Sequence, residues 1–341
     1  MTTATQIRLA RRPEGEPDDA TYEITHDEVP APGPGQLLLR VVHLSLDPYM
    51  RGRMSAARSY AAPVEIGDVL VGGTVCQVES SNHPDYAPGD YVLSYSGWQT
   101  HAISDGCGLR RLDPSVVPVS TALGVLGMPG FTAYAGLLEI GRPQAGETVV
   151  VAAATGPVGS AVGQIARIKG ARAVGIAGGP DKCRALTEEF GFDVAVDHRS
   201  PTFAADLKAA VPDGIDVYFE NVGGHVATEV FKRMNLYGRV PVCGLVASYN
   251  ATSAPEGPDR LPGFMGLVLR QSLTVRGFIQ GEFTKSHGRD FVREMSGWVA
   301  DGSVRYREDV VRGLENAPEA FRGLLAGRNF GKLVIQVSDE A

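Results

Sequence analysis

The sequence predicts an α/β protein in which a doubly wound parallel sheet is joined to a smaller strand-rich domain. Its 341 residues suit two domains of ordinary size rather than one core. Between about residues 146 and 280, apolar strands alternate with amphipathic helices, which specifies right-handed βαβ units and a parallel sheet. Before about residue 118, short alternating strands are broken by Pro, Gly and Asp, as in a small β-barrel or sandwich.

The strand-rich part and the end of the chain contribute separate elements. Alternating apolar and polar residues predict strands at 37–42, 73–78 and 90–95. The last sixty residues predict an amphipathic helix around Phe291, a second helix around Ala317 and a closing strand at 333–337.

The α/β part opens with the continuous apolar run 149–154, which is typical of a parallel strand buried on both faces. A helix follows, with Val158, Val162 and Ile165 on one face. The alternation continues with strands at 173–177, 193–196, 215–219 and 239–243, and with helices at 181–190, 203–210 and 226–234.

Charge and cysteine content exclude several partner classes. The chain carries 32 Lys and Arg against 39 Asp and Glu, a net charge of −7 without a basic stripe. We therefore expect no binding to nucleic acid or to an anionic membrane.

The four cysteines lie far apart, which excludes a Cys₄ zinc cluster at short spacing and a disulfide-stapled scaffold. The first residues lack the apolar core of a signal peptide, so a cytoplasmic protein is expected.

Residues 119–138 form an uncharged segment long enough to be weighed as a membrane span. The segment contains Pro129, four glycines and several hydroxyl side chains, and it leads directly into the α/β pattern. A buried helix with a loop fits this composition better than a transmembrane helix.

A glycine-rich turn follows the first strand of the α/β part. It reads Ala154-Thr-Gly156-Pro157-Val158-Gly159, the G-x-G-x-x-G spacing with alanine in the first place. Gly156 would let the backbone approach a pyrophosphate, and Gly159 would let helix and strand pack closely. Glycine pairs also make ordinary tight turns, but the place between a buried strand and an amphipathic helix predicts a dinucleotide site.

The end of the second strand distinguishes NAD from NADP. An NAD site usually places Asp or Glu there to bind the ribose 2′-hydroxyl. This chain has Gly178 and Gly179, followed by Lys182. A 2′-phosphate would be attracted by Lys182, so NADP(H) is the expected cofactor. The alternative is that Asp181 and Lys182 are solvated residues of a first helical turn, where Asp181 would serve NAD.

Motifs along nearly the whole chain resemble one family. They are Ser45-Leu-Asp-Pro-Tyr-Met-Arg51, Gly127-Met-Pro-Gly-Phe-Thr-Ala-Tyr134, Glu220-Asn-Val-Gly-Gly224, Cys243-Gly-Leu-Val-Ala-Ser-Tyr-Asn250 and Asn329-Phe-Gly-Lys332. The chain resembles the zinc-free double-bond reductases of the medium-chain dehydrogenase/reductase superfamily, and most closely their bacterial curcumin-reductase type. The resemblance implies a GroES-like catalytic domain over 1–125, completed by 304–341, and a Rossmann dinucleotide-binding domain over 126–303.

The resemblance also implies positions for the site residues. Contacts with the cofactor are expected from Asn221, Cys243, Gly244, Leu245, Ser248, Tyr249, Phe278, Ile279, Gln280 and Asn329. Tyr49, Met50 and Tyr60 are expected to line a pocket whose apolar walls suit an enone.

The end of the third strand departs from many family members, which have tyrosine there. This chain has Asp197, His198 and Arg199. His198, helped by Arg199, would bind the 2′-phosphate; the alternative is an exposed histidine in a turn.

Zinc-dependent members of the superfamily have a Cys three residues before the Asp of the first motif, and a Gly-His-Glu further on. This chain has Leu44 at the first position and no Gly-His-Glu. A catalytic zinc needs three protein ligands, so we expect no metal. NADPH can then deliver hydride only to an already polarised carbon, such as the β-carbon of an α,β-unsaturated ketone or aldehyde. Tyr249 would stabilise the resulting enolate, unless it only packs on the ribose while a ribose hydroxyl or water gives the proton.

Three functions remain open at this point. They are an NADPH-dependent ene reductase, a zinc-free quinone reductase and a catalytically silent NADPH-binding protein. Tyr249 and the metal-free site favour the first. Because relatives pair the last strand of the sheet, 273–279, across a two-fold axis, a homodimer is also expected.

The cofactor preference is tested by replacing Lys182. Lys182→Ala removes the cation expected at the 2′-phosphate, so it should raise the KM for NADPH far more than the KM for NADH. Initial rates with each cofactor measure this difference, and Lys208→Ala, on another predicted helix, is the control. Equal effects of Lys182→Ala on both cofactors would rule out the assignment.

Overall fold

The structure is a computed structural model that describes residues 2–254 and 256–340. The chain forms two compact units: unit 1 comprises Met1–Gly124 and Glu308–Ala341, and unit 2 comprises Val125–Arg307. The boundaries predicted from the sequence, 125/126 and 303/304, differ from these by one and four residues. Unit 1 is therefore assembled from two separate segments of the chain, whereas unit 2 is continuous.

Strands and helices occur along the whole described chain. The strands are β1 (Thr2–Leu9), β2 (Tyr22–Val29), β3 (Leu37–Ser45), β4 (Thr74–Ser81), β5 (Tyr91–Ser94), β6 (His101–Ser104), β7 (Arg110–Leu112), β8 (Thr148–Val151), β9 (Arg172–Ala177), β10 (Val194–Asp197), β11 (Ile215–Phe219), β12 (Met234–Val242), β13 (Thr274–Gly277), β14 (Glu308–Arg312) and β15 (Lys332–Gln336). The α-helices are α1 (Tyr49–Arg53), α2 (Met128–Ala135), α3 (Pro157–Ile168), α4 (Pro180–Glu188), α5 (Phe203–Ala210), α6 (Gly224–Phe231), α7 (Leu261–Arg270), α8 (Thr284–Ala300) and α9 (Ala317–Leu325).

Unit 2 contains a six-stranded sheet in the order β10-β9-β8-β11-β12-β13, and every neighbouring pair is parallel. This is the doubly wound order of Rossmann-type domains, which reverses between the first and fourth strands. β8 is fully buried, as expected of a strand covered on both faces. The fold class predicted from the sequence is confirmed, and ligands of such sheets bind outside the carboxyl ends of the strands at the reversal, here β8 and β11.

Several elements of unit 2 differ from their predicted bounds, and two of the differences, at β8 and α6, have a clear physical reason. β8 ends at Val151 rather than at 154, because Ala153 adopts a positive φ of 50° and the chain turns towards α3. α6 ends at Phe231, whereas a helix to residue 234 was predicted; Met234 is buried and begins β12. Hydrophobic pattern does not separate the end of a helix from the start of a buried strand, since both are apolar.

Unit 1 contains a seven-stranded sheet in the order β14-β15-β3-β4-β5-β7, with β6 paired to β3, and a two-stranded sheet of β1 and β2. β15 pairs antiparallel with β3. Trp98 is fully buried, stacked on Tyr22 at 6.0 Å and edge-on to Phe321 at 5.7 Å between ring centroids. Side chains from both segments of unit 1 therefore share one core.

The uncharged segment 119–138 forms short helical pieces rather than one long helix. Val119–Leu123 is a buried 3-10 turn, and α2 follows with Pro129 in its first turn. No helix among the described residues is long and apolar enough to cross a membrane.

A buried ion pair joins the end of β3 to β15. Lys332 Nζ donates to Asp47 Oδ1 at 2.9 Å and to the Leu46 carbonyl oxygen at 2.7 Å. The Ser45 hydroxyl donates to the other oxygen of the same carboxylate. The side chains of Lys332 and Asp47 are only 3% and 8% exposed. Because Asp47 lies two residues before Tyr49, the pair fixes the start of α1 against the sheet.

Replacing Lys332 should destabilise unit 1. Lys332→Met leaves a buried carboxylate without its cation, so the free energy of unfolding should fall by about 3–5 kcal/mol. Trp98 fluorescence during denaturant unfolding measures this, in a Trp298→Phe background because the chain has two tryptophans. Arg11→Met is the control, since its exposed pair with Asp18 should contribute little to stability. Equal losses in the two variants would contradict the prediction.

Candidate active site

The turn after β8 brings the start of α3 close to the strand. Gly156 caps α3 in an extended conformation, and Pro157 and Val158 are its first residues. A Cβ at Gly159 would lie 2.5 Å from the Ala153 carbonyl oxygen, so only glycine fits there. The first N–H groups of a helix have no acceptor within the helix, and here they point to the carboxyl edge of the sheet. They favour an anion at that edge.

The turns after β9 and β10 are joined by a carboxylate. Asp197 Oδ1 accepts hydrogen bonds from Gly179 N and Arg199 N, both at 2.9 Å. A Cβ at Gly178 would lie 2.9 Å from His198 Nε2 and 2.8 Å from Arg199 Nε. The side chains of His198 and Arg199 therefore occupy the space in which an NAD site places its carboxylate.

Four side chains around Gly178 form a cationic cluster, defined as Lys182, His198, Arg199 and His225. Burial is the largest cause that lowers the pKa of His198, and the three other members lower it further. The rings of His198 and His225 are 5.6 Å apart, and His225 Nε2 lies 3.3 Å from the His198 carbonyl oxygen. Lys182 and Arg199 supply positive charge and the two imidazoles supply hydrogen-bonding nitrogens, so the cluster is suited to a phosphate dianion.

His225, which lies beside His198, is a member of the cationic cluster that sequence reasoning missed. It is the second residue of α6, just after the glycines of the Glu220–Gly224 motif, and it is exposed. No periodic or strand-end signal marks it. Only the motif next to it could have drawn attention to this position.

The turns after β11 and β12 are hydrogen-bonded to each other. Cys243 N and Gly244 N donate to the Glu220 carbonyl oxygen at 2.9 and 3.2 Å. The Asn221 side chain donates to the Ala152 carbonyl oxygen at 2.8 Å, which ties this turn to the end of β8. Asn221 is thereby held where the strand order reverses.

Tyr249 follows the short 3-10 turn Val246–Ser248. Its hydroxyl oxygen accepts a hydrogen bond from Leu245 N at 3.4 Å and would lie 3.1 Å from a Cβ at Gly244. The Ser248 hydroxyl donates to the Leu245 carbonyl oxygen at 2.9 Å. The phenol is therefore folded back over Gly244, at the carboxyl end of β12.

Two of the expected contact residues turn their side chains into unit 2. Burial raises the pKa of the Cys243 thiol to about 12, which favours the neutral thiol. Phe278 is 6% exposed, and its ring fills the space beside Gly136. Ile279 is 42% exposed and Gln280 begins a 3-10 turn just after β13.

The expected pocket residues of unit 1 differ in exposure. Tyr60 is 63% exposed and Tyr49 is half-buried, with a pKa raised by burial. Met50 was expected in the pocket wall, but it is 2% exposed and packs in the core of unit 1. It anchors α1 rather than offering a free surface.

Asn329 Nδ2 donates to the Gly331 carbonyl oxygen at 2.9 Å and shapes the turn before β15.

The side chains of the first motif do not fit a zinc ion. Leu44 is fully buried where zinc-dependent relatives have cysteine, and Asp47 is engaged by Lys332. Within residues 2–254 and 256–340, no three His, Cys, Asp or Glu side chains are grouped closely enough to hold a metal ion. The described chain therefore lacks the donor set of a catalytic zinc.

Comparisons with known proteins support the resemblance found in the sequence. Residues 5–112 match the family described as N-terminal domain of oxidoreductase, and residues 157–298 match zinc-binding dehydrogenase. The NADPH-dependent curcumin reductase of Escherichia coli (strain K12) is 56% identical over 97% of this chain and 96% of that protein. Prostaglandin reductase 1 of Oryctolagus cuniculus is 41% identical over 97% of this chain and 93% of that protein.

A solved structure extends this likeness to three dimensions. The crystal structure of CurA from Vibrio vulnificus in complex with NADPH has a TM-score of 0.95 and 52% sequence identity to this chain. The alignment covers 98% of this chain and 99% of that one. The chain thus belongs to the double-bond reductase group of the medium-chain dehydrogenase/reductase superfamily.

Proposed function

We propose that this protein is an NADPH-dependent ene reductase that reduces the C=C bond of α,β-unsaturated ketones and aldehydes. The observation that carries the proposal is the near-full-length identity of 56% to an NADPH-dependent reductase of curcumin, which is an α,β-unsaturated ketone. Prostaglandin reductase 1 is similar over almost the whole chain as well. The protein is an oxidoreductase, and NADPH is its cofactor.

The residues at the carboxyl edge of the unit 2 sheet fit NADPH. The N-terminus of α3 binds the pyrophosphate, because its N–H groups are directed there and Gly156 leaves the approach open. The cationic cluster binds the 2′-phosphate. NADH offers this cluster no dianion, so the cluster favours NADPH. A carboxylate at position 178, as in NAD sites, would collide with His198 and Arg199.

When bound, NADPH supplies a hydride, which is added to the β-carbon of the substrate. The addition leaves an enolate, whose oxygen needs a hydrogen-bond donor and whose α-carbon then takes a proton. Tyr249 is the donor in this proposal. Because Leu245 N–H donates to the phenol oxygen, the phenol proton itself is directed to another acceptor. One enone, one NADPH and one proton give the saturated ketone and NADP⁺, with the carbonyl group retained.

Two further parts of the proposal concern where the protein acts and with what partner. The cytoplasm is the proposed compartment, because Cys76, Cys107, Cys183 and Cys243 are all free thiols. Reduced thiols of this kind suit a reducing compartment. The substrate is a small molecule, since the proposed reaction acts on one conjugated alkene.

The position of the transferred hydrogen tests the reaction. With deuteride at the transferring position of NADPH, deuterium should appear on the β-carbon of the product, and in D₂O it should appear on the α-carbon. Mass spectrometry and NMR of the product measure both labels. An allylic alcohol with deuterium on the carbonyl carbon would reject ene reduction. Turnover of quinones without turnover of enones would favour the quinone reductase instead.

A homodimer belongs to the same proposal. Among the strands that the structure describes, β13 is an edge strand whose one partner is β12, and its residues are exposed. Val275 is 37% exposed, and on α7 Leu261, Met265 and Leu269 are 61%, 54% and 80% exposed. An open edge beside exposed apolar side chains is stabilised by a partner that covers it. A second copy does so by pairing β13 with β13 across a two-fold axis.

Light scattering at micromolar concentration should give the mass of a dimer. Leu269→Glu places a charge in the covered surface and should yield monomers. Val116→Glu is the matched control, because Val116 is an equally apolar residue of unit 1 with 71% exposure. A monomeric wild-type protein, or equal effects of the two substitutions, would refute the β13 interface.

A further inference from the structure

Glu220 is a buried carboxyl group to which the proposed reaction assigns no task. It follows β11 directly and is 2% exposed. Its Oε1 accepts hydrogen bonds from Val222 N at 2.6 Å and from Gly223 N at 2.9 Å. Burial raises the pKa of Glu220, and these backbone N–H groups oppose the shift. Burying a carboxyl group costs free energy, so the hydrogen bonds that Glu220 makes indicate what its side chain does in the fold.

The Glu220 carboxylate closes the turn that contains Val222 and Gly223. Backbone hydrogen bonds connect this turn to Tyr249. Ala247 N donates to the Val222 carbonyl oxygen at 3.0 Å, and Val246 N donates to the Asn221 carbonyl oxygen at 3.2 Å. Tyr249 N in turn donates to the Val246 carbonyl oxygen at 3.3 Å. A change in the Asn221–Val222 turn is therefore passed on to the backbone of Tyr249.

The backbone of Glu220 holds the other end of the same loop. Its carbonyl oxygen accepts hydrogen bonds from Cys243 N and Gly244 N. Gly244 and Leu245 are the residues against which the Tyr249 hydroxyl lies. One residue thus fixes both the backbone of Tyr249 and the surface that receives its phenol.

We infer that Glu220 is a positioning residue for the reduction, which holds the Tyr249 hydroxyl where the enolate oxygen develops. The inference rests on the proposed function, because it assigns Glu220 a task in that reaction. Glu220 acts through the turn and transfers no proton itself. A donor stabilises developing charge only when it is held in place beforehand, so a loosened turn lowers the rate of the chemical step.

The side chain of Glu220 can be changed in two informative ways. Glu220→Ala removes the acceptor of two buried N–H groups, whereas Glu220→Gln keeps an oxygen acceptor at the same reach. Glu220→Ala should lower kcat at least about 10-fold while the KM for NADPH changes less, which is the pattern of a lost transition-state interaction. Glu220→Gln should restore kcat to within about 3-fold of wild type, because one acceptor is retained.

A double-mutant cycle separates positioning of Tyr249 from a general structural role. In a Tyr249→Phe background, Glu220→Ala should lower kcat by less than about 2-fold, because the donor that Glu220 positions is already absent. Asp197→Ala is the matched control, since it also removes the acceptor of two backbone N–H groups. It acts at the cationic cluster, so it should raise the KM for NADPH equally in both backgrounds.

Circular dichroism and NADPH titration establish that each variant is folded. If Glu220→Ala does not fold, Glu220→Asp takes its place, because it retracts the carboxylate by one methylene. Independent effects of Glu220→Ala and Tyr249→Phe on kcat would overturn the inference, and so would a Tyr249→Phe variant with wild-type kcat. A wild-type protein that does not turn over enones would overturn the proposed function as well. Because the wild-type protein is assayed first, this failure is distinguished from a failure of the inference about Glu220.

Discussion

Two strand-end carboxylates, Asp197 and Glu220, accept hydrogen bonds from backbone N–H groups, and the form of the sheet's carboxyl edge depends on these bonds. Turns after parallel strands leave N–H groups without strand partners, and these groups need other acceptors. Each carboxylate pairs two of them. The acidic groups of the edge are consequently occupied by the protein's own backbone. The N-terminus of α3 and the cationic cluster remain to attract an anion, although the whole chain is net negative.

The fold and the glycine turn could be predicted from the sequence because their signals are local. Strand and helix periods, the spacing of Gly156 and Gly159, and the missing acid at position 178 are each visible within a short window. The partners of Asp197 could not be predicted, because they depend on which turns meet in the folded sheet. His225 was missed for the same reason: it lies 27 residues from His198 in the chain.

Resemblance to a family predicts which positions of the chain belong to the site, but it does not predict where the side chains at those positions point. Tyr49 and Met50 are neighbours in one motif, yet Tyr49 is half-buried and Met50 is packed in the core, since successive residues of a helix point different ways. Phe278 likewise has the expected place but a buried ring. The Asp47–Lys332 pair joins two recognised motifs 285 residues apart, and no sequence pattern shows that they touch.

The division of unit 1 between two segments of the chain has a consequence for biosynthesis. On the ribosome, β3 emerges long before β15, so the strand edge that later pairs with β15 stays open until β15 has been synthesised. Trp98 lacks its contact with Phe321 until the second segment of unit 1 has been synthesised. The Asp47 carboxylate likewise stays hydrated until Lys332 can pair with it. Unit 2 is continuous and can fold once Arg307 has left the exit tunnel. The nascent chain can therefore complete its nucleotide-binding unit before unit 1, whose N-terminal strands keep apolar surface exposed until the second segment arrives.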